Sequence, residues 1–134
     1  AFAGSGGGSR FTGTTPYERS DEELVADFSI ITEQGEAAWD NLIALMHNPP
    51  AGTACDCIES GAHVGSPLLR QFIETYRPLA VICGHIHESA AIDTVGGTTV
   101  INPGALLEGR YAWLAVEQSG GTWQVTGATL ERLS

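Results

Sequence analysis

Two histidines one residue apart close the stretch Cys83-Gly84-His85-Ile86-His87-Glu88, which follows the apolar run Leu79-Ala80-Val81-Ile82-Cys83. In an extended segment residues i and i+2 point the same way, so His85 and His87 are expected to face one point. Gly84 is expected to permit a sharp turn there. Neutral imidazoles are common ligands of Zn, Mn and Fe. Upstream, the run Leu42-Ile43-Ala44-Leu45-Met46 leads into His47-Asn48-Pro49-Pro50. Two short apolar runs, each ending in His, read as neighbouring strands of a buried sheet. Open α/β sheets bind ligands at the carboxyl ends of their strands. His47, His85 and His87 are therefore expected to converge on one cation-binding pocket.

Other residues have plainer readings beside the chemical one. His63, in Gly61-Ala62-His63-Val64-Gly65, either lines the site from a long loop or bonds to backbone, and the second reading is preferred. Glu88 either orients a ligand histidine or is solvated. Cys55 and Cys57 form a C-x-C without further Cys or His at metal-ligand spacing, so free thiols are preferred over a soft-metal site. Arg70 and Arg77 fall on a helical pattern and read as surface residues, not phosphate contacts.

The elements that would position these residues follow from local signals. Residues 1–9 read as the end of a strand running into a glycine turn, and the glycines at 6, 7 and 8 lack the Lys of a phosphate-binding loop. Ser20 and Glu23 have capping-box spacing, and Leu24, Phe28 and Ile31 recur at helical intervals up to a stop at Gly35. Residues 48–65 form a long loop. Ser66-Pro67 opens a second helix with Leu68, Leu69, Phe72, Ile73 and Tyr76 on one side, and Arg77-Pro78 ends it. Strand, crossover helix and strand then make the two His-bearing runs parallel, with His47 and His85 on one sheet edge. The remainder reads as two hairpins, about Gly96-Gly97 and Ser119-Gly120-Gly121, with a turn at Asn102-Pro103-Gly104.

Composition narrows the field. The 134 residues carry a net charge of −10 with six Lys+Arg, which disfavours nucleic-acid binding through a basic face. No apolar run is long enough for a membrane span. Three cysteines, two of them adjacent but one, do not suggest a secreted disulfide framework, and a reduced, cytoplasmic setting is expected.

At His47 before Asn48-Pro49-Pro50, at Gly84-His85-Ile86-His87 and at Asn102-Pro103-Gly104, the chain resembles the calcineurin-like metallophosphoesterases, over about residues 1–117. The resemblance is nearest to the small bacterial and archaeal phosphoesterases of that superfamily. It implies an α/β fold, part of a four-layer α/β/β/α sandwich with a β-rich carboxyl-terminal portion. It implies hydrolysis of phosphomonoesters or phosphodiesters by a metal-activated hydroxide, with two divalent ions (Mn, Fe or Zn). Carried over by position, His47 and His85 would bind one ion and His87 the other, with Asn48, His63 and Glu88 near the site. The family's Asp-x-His, Gly-Asp and Gly-Asn-His-Asp elements have no counterpart here. The chain is therefore expected to be the carboxyl-terminal half of a single domain, residues 1–134. Its partner would be the amino-terminal half, in cis or as a second chain. Two close dications repel unless carboxylates bridge them. Three neutral imidazoles supply no such charge, so the chain alone is expected to bind at most one ion weakly and to be inactive. A non-catalytic metal-binding or protein-interaction domain on the same scaffold is the competing expectation.

Overall fold

The computed structural model describes residues 1–10, 13–33 and 39–134. Its centre is a five-stranded sheet made, in spatial order, of β1 Phe2–Ser5, β4 Ile43–Met46, β5 Ala80–Ile82, β7 Thr98–Asn102 and β6 Ala91–Val95. The first four of these run parallel, and β6 pairs antiparallel with β7 at the edge. Two short strands, β2 Gly8–Ser9 and β3 Glu18–Arg19, pair beside the sheet. A long hairpin of β8 Arg110–Ser119 and β9 Thr122–Arg132 follows, with a bulge between Ala115 and Val116. Chain and fold class agree with the expected α/β organisation: a parallel sheet with few helices.

The strand–helix–strand unit forms as read. α3, Pro67–Tyr76, connects β4 to β5, which pair in parallel register. The Ser66 hydroxyl accepts from the Leu69 N–H, and Pro67 occupies the first turn, where a missing N–H costs nothing. Arg77 ends the helix in the left-handed conformation, φ 51°. The first helical segment departs from expectation. The periodicity predicts one helix from Ser20 to Gly35. The chain instead forms α1, Asp21–Ala26, and α2, Ser29–Glu33, while Gly35 lies outside the described residues. The break falls at Asp27, whose carboxylate accepts from the Ser5 hydroxyl (2.8 Å) and from the Arg19 guanidinium (2.5 and 2.9 Å).

The helices cover one face of the sheet. Ala44, Met46, Val81, Cys83 and Val100 share a buried cluster with Leu24, Phe28, Leu69, Phe72 and Ile73. Phe28 stacks on Phe72 with centroids 4.7 Å apart, and Trp39 meets Phe72 edge-on at 5.6 Å. Burial and aromatic contact reinforce one another here, so Phe72→Ala is expected to cost about 3–5 kcal/mol in a urea unfolding titration. Strand alternation sends Phe2, Leu45 and Ile82 to the other face. There Phe2 is 71% and Leu45 43% exposed, and Gly4, Leu45 and Ile82 lie side by side in register.

Candidate metal and phosphoester site

The strand ends place two of the three histidines. His47 follows β4 directly and its N–H bonds to the Ser5 carbonyl at the end of β1. The Gly84 N–H bonds to the His47 carbonyl (3.0 Å), which ties the end of β5 to the end of β4. From these anchors His47 Nε2 stands 3.0 Å from His85 Nδ1, with ring centroids 4.9 Å apart. Burial first, then the neighbouring His47 and His87, hold the His85 imidazole below the ordinary histidine range. Its neutral form, the form that ligates metals, is thereby favoured.

The segment after His85 corrects the extended geometry expected for it. The Ile86 N–H bonds to the Gly84 carbonyl at 2.7 Å, closing a three-residue γ-turn with His85 at its centre, φ 68°. The sharp turn therefore falls on His85 and not on Gly84. His87 begins a 3-10 turn, His87–Ser89, and is exposed. It does not share the His47–His85 contact, though its charge reaches His85. Among the described residues no three His, Cys, Asp or Glu side chains form a group able to hold a metal ion.

The pair itself fits one cation. Zinc–imidazole bonds are about 2.0–2.1 Å, so two ligand nitrogens on one ion at tetrahedral to octahedral angles lie roughly 2.8–3.4 Å apart. The observed 3.0 Å separation falls within that range.

Asn48 is buried beside the pair. Its carbonyl accepts from the Ser9 N–H (3.2 Å) and its amide donates to the Ser9 hydroxyl (2.9 Å). Ser9 in turn donates to Asp21 (2.5 Å), whose other oxygen accepts from Ser66 (2.5 Å). One polar chain thus links the end of β4, strand β2 and the starts of α1 and α3. His63 bonds to neither the site nor backbone. Its Nδ1 meets the Asp56 carboxylate at 2.7 Å. Asp56 is fully buried and also accepts from the N–H groups of Gly52, Thr53 and Gly65. Burial opposes its charge, but His63 and these three donors outweigh that and hold Asp56 below the ordinary carboxylate range. Glu88 accepts from the Glu59 N–H at 3.3 Å, away from the rings. Arg70, expected on the surface, binds the Ala51 and Gly52 carbonyls and Glu74. Cys55, Cys57 and Cys83 are free thiols, two of them buried.

Gly8 and Ser9 belong to the site although their types carried no metal signal. A Cβ added at Gly8 would stand 3.1 Å from His85 Cε1 and 3.3 Å from its Nε2. The bare backbone is what lets the ring lie where it does. The triple glycine at a strand's carboxyl end was the available clue. Gly8→Val is expected to push the His85 ring off His47 and weaken zinc binding by about tenfold or more, the range for losing support around a ligand. Thermal unfolding should change little, and calorimetric zinc titration reads the difference.

An adjoining cavity of about 750 Å³ opens beside His85, Asn48 and Ser9. Among the described residues no helix is long and apolar enough to cross a membrane.

A family described as metallophosphoesterase, calcineurin superfamily, matches residues 27–122. The uncharacterised protein MJ1162 of Methanocaldococcus jannaschii is 34% identical over 106 residues, 76% of this chain and 47% of that protein. One solved crystal structure superposes with a TM-score of 0.70 at 22% identity, covering 99% of this chain and 49% of the other. The crystal structure of TT1561 of Thermus thermophilus gives 0.58 at 22% identity, covering 83% of this chain and 46% of that one. The chain spans about half the length of these relatives. At those identities the two structures attest the fold alone, whereas the family match extends over most of the chain: it belongs to the calcineurin superfamily of metallophosphoesterases.

Proposed function

We propose that this chain supplies the distal half of a binuclear, metal-dependent phosphoesterase acting on phosphomonoesters or phosphodiesters. The observation that carries the reading is the His47–His85 pair, two imidazole nitrogens 3.0 Å apart at adjacent parallel strand ends. In this reading His47 and His85 hold one divalent ion (Mn, Fe or Zn) and His87 faces the second. Asn48 and Ser9 fix the floor beneath the pair. When bound, the ions supply an activated water and neutralise charge on the phosphoryl group. The carboxylates that such ions need come from the proximal half of the fold, in cis or on a second chain. That half also accounts for the exposed Phe2 and Leu45 on this face of the sheet: parallel sheets are normally covered on both sides. Phe2, Leu45 and Ile82 would be buried in a four-layer α/β/β/α sandwich. Three free thiols suit a reducing compartment such as the cytoplasm.

One observation favours a second reading, a non-catalytic metal-binding or interaction domain: among the described residues no three His, Cys, Asp or Glu side chains form a group able to hold a metal ion. Calorimetric titration of this chain with Zn²⁺ or Mn²⁺ tests the half-site. At most one weakly held ion, with no hydrolysis of bis(4-nitrophenyl) phosphate, is expected of a half-site. Two tightly held ions would overturn it.

A further inference from the structure

The cavity beside His85 has a mixed lining. His85, Asn48 and Ser9 are among its polar residues, and Ile58, Val64 and Leu68 supply apolar wall. These apolar side chains come from two separate elements: Ile58 and Val64 from the long loop after β4, Leu68 from the first turn of α3. Each is only half-buried, so each keeps apolar surface open to the cavity. The volume of about 750 Å³ lies inside the range of small-molecule sites, roughly 300–1,000 Å³.

We propose that this cavity takes the organic group of the phosphoester, and that the group is an uncharged ring system. The proposal rests on the phosphoesterase reading of the imidazole pair and adds what that reading leaves open, the chemistry of the ester. Charge on the wall argues for the assignment. Asp21 and Glu22 border the cavity, with one arginine, Arg10. Both carboxylate oxygens of Asp21 already accept from the Ser9 and Ser66 hydroxyls, and a carboxylate has no donor to offer an anion. A second phosphate placed there would meet net negative charge. An apolar ring meets Ile58, Val64 and Leu68, while the phosphoryl group stays beside His85. Nucleoside triphosphates and polyphosphates are thereby disfavoured against aryl or similarly flat monoanionic and dianionic esters.

Non-hydrolysable probes test this by binding alone. The protein is titrated with 1-naphthylphosphonate and with methylphosphonate, each with and without Mn²⁺, and binding is read by calorimetry. The naphthyl probe is expected to bind at least about tenfold tighter, since a ring buries enough apolar surface for that factor. Leu68→Gln and Ile58→Ser, on separate elements, should each remove most of the preference while Mn²⁺ affinity is unchanged. His85→Ala should do the reverse, losing Mn²⁺ and keeping the naphthyl preference. Equal binding of the two probes, or a preference untouched by both wall substitutions, overturns the cavity assignment. Failure of the complete protein, with its proximal half, to bind Mn²⁺ instead overturns the phosphoesterase reading, and the metal-free titrations of this chain still decide the cavity.

Discussion

Asp56→Ala is expected to lower the unfolding free energy at pH 7 by about 3–5 kcal/mol, the cost of breaking a buried charged group away from its partners. The carboxylate is fully buried and is the hub of residues 50–65. It accepts from three backbone N–H groups and from His63. Alanine leaves those donors unmatched. Asp56→Asn keeps the volume but brings an amide that donates toward the same N–H groups, so about 2–3 kcal/mol should still be lost. The pH dependence has a definite sign. The folded-state pKa of Asp56 lies below its unfolded value of 3.8, so its contribution is complete above that value and disappears as pH falls through the folded one. Urea titrations of wild type and Asp56→Asn should therefore diverge most at pH 6–7 and converge in acid. A difference below about 1 kcal/mol at pH 7 would show that the loop is held by other means. The loop's integrity matters to function because it carries Ile58 and Val64 of the cavity wall and leads directly into Ser66.

Local signals were legible in the sequence and most tertiary ones were not. Ser20 with Glu23 and Ser66 with Pro67 mark helix starts because the partners lie within one turn. The Gly96-Gly97 hairpin was legible for the same reason, both residues taking positive φ (56° and 92°). The meeting of His47 and His85 could be anticipated because two apolar runs separated by a helix have few arrangements other than adjacent parallel strands. The break in the first helix was hidden, since Leu24, Phe28 and Ile31 keep their period straight through Asp27. What holds Asp27 is Ser5 on β1 and Arg19 on β3. The γ-turn at His85 was hidden too, because a positive φ at a non-glycine residue next to a glycine has no sequence signature. It sends His87 away from the direction that a strand-like alternation would give. Nor could His63 be paired with Asp56 in advance: they lie in an irregular loop, where no period says which residues face each other. The consequence for the site is specific. Sequence spacing suggested three convergent imidazoles, and the fold brings together two.

His85→Ala is the substitution expected to cost most. If His47 and His85 share one ion, removing either ring leaves a single protein nitrogen at that position. The chain's affinity for Zn²⁺ should then fall by more than the roughly 10–100-fold typical of losing only a ligand's outer support. In the complete protein, turnover of bis(4-nitrophenyl) phosphate should fall by at least about 100-fold. A single alanine does not distinguish a shared ion from two independent structural roles, so the pair must be treated as a cycle. Residues acting on one ion are strongly non-additive, and the His47→Ala/His85→Ala double variant should be scarcely worse than either single variant. His87→Ala, on the exposed 3-10 turn, should leave the first ion's affinity nearly unchanged while reducing turnover in the complete protein. Additive losses in the cycle, or zinc affinity that survives His85→Ala, would mean that the 3.0 Å contact is a hydrogen bond between two packed imidazoles. The chain would then hold its strand ends together without contributing ligands to a metal centre.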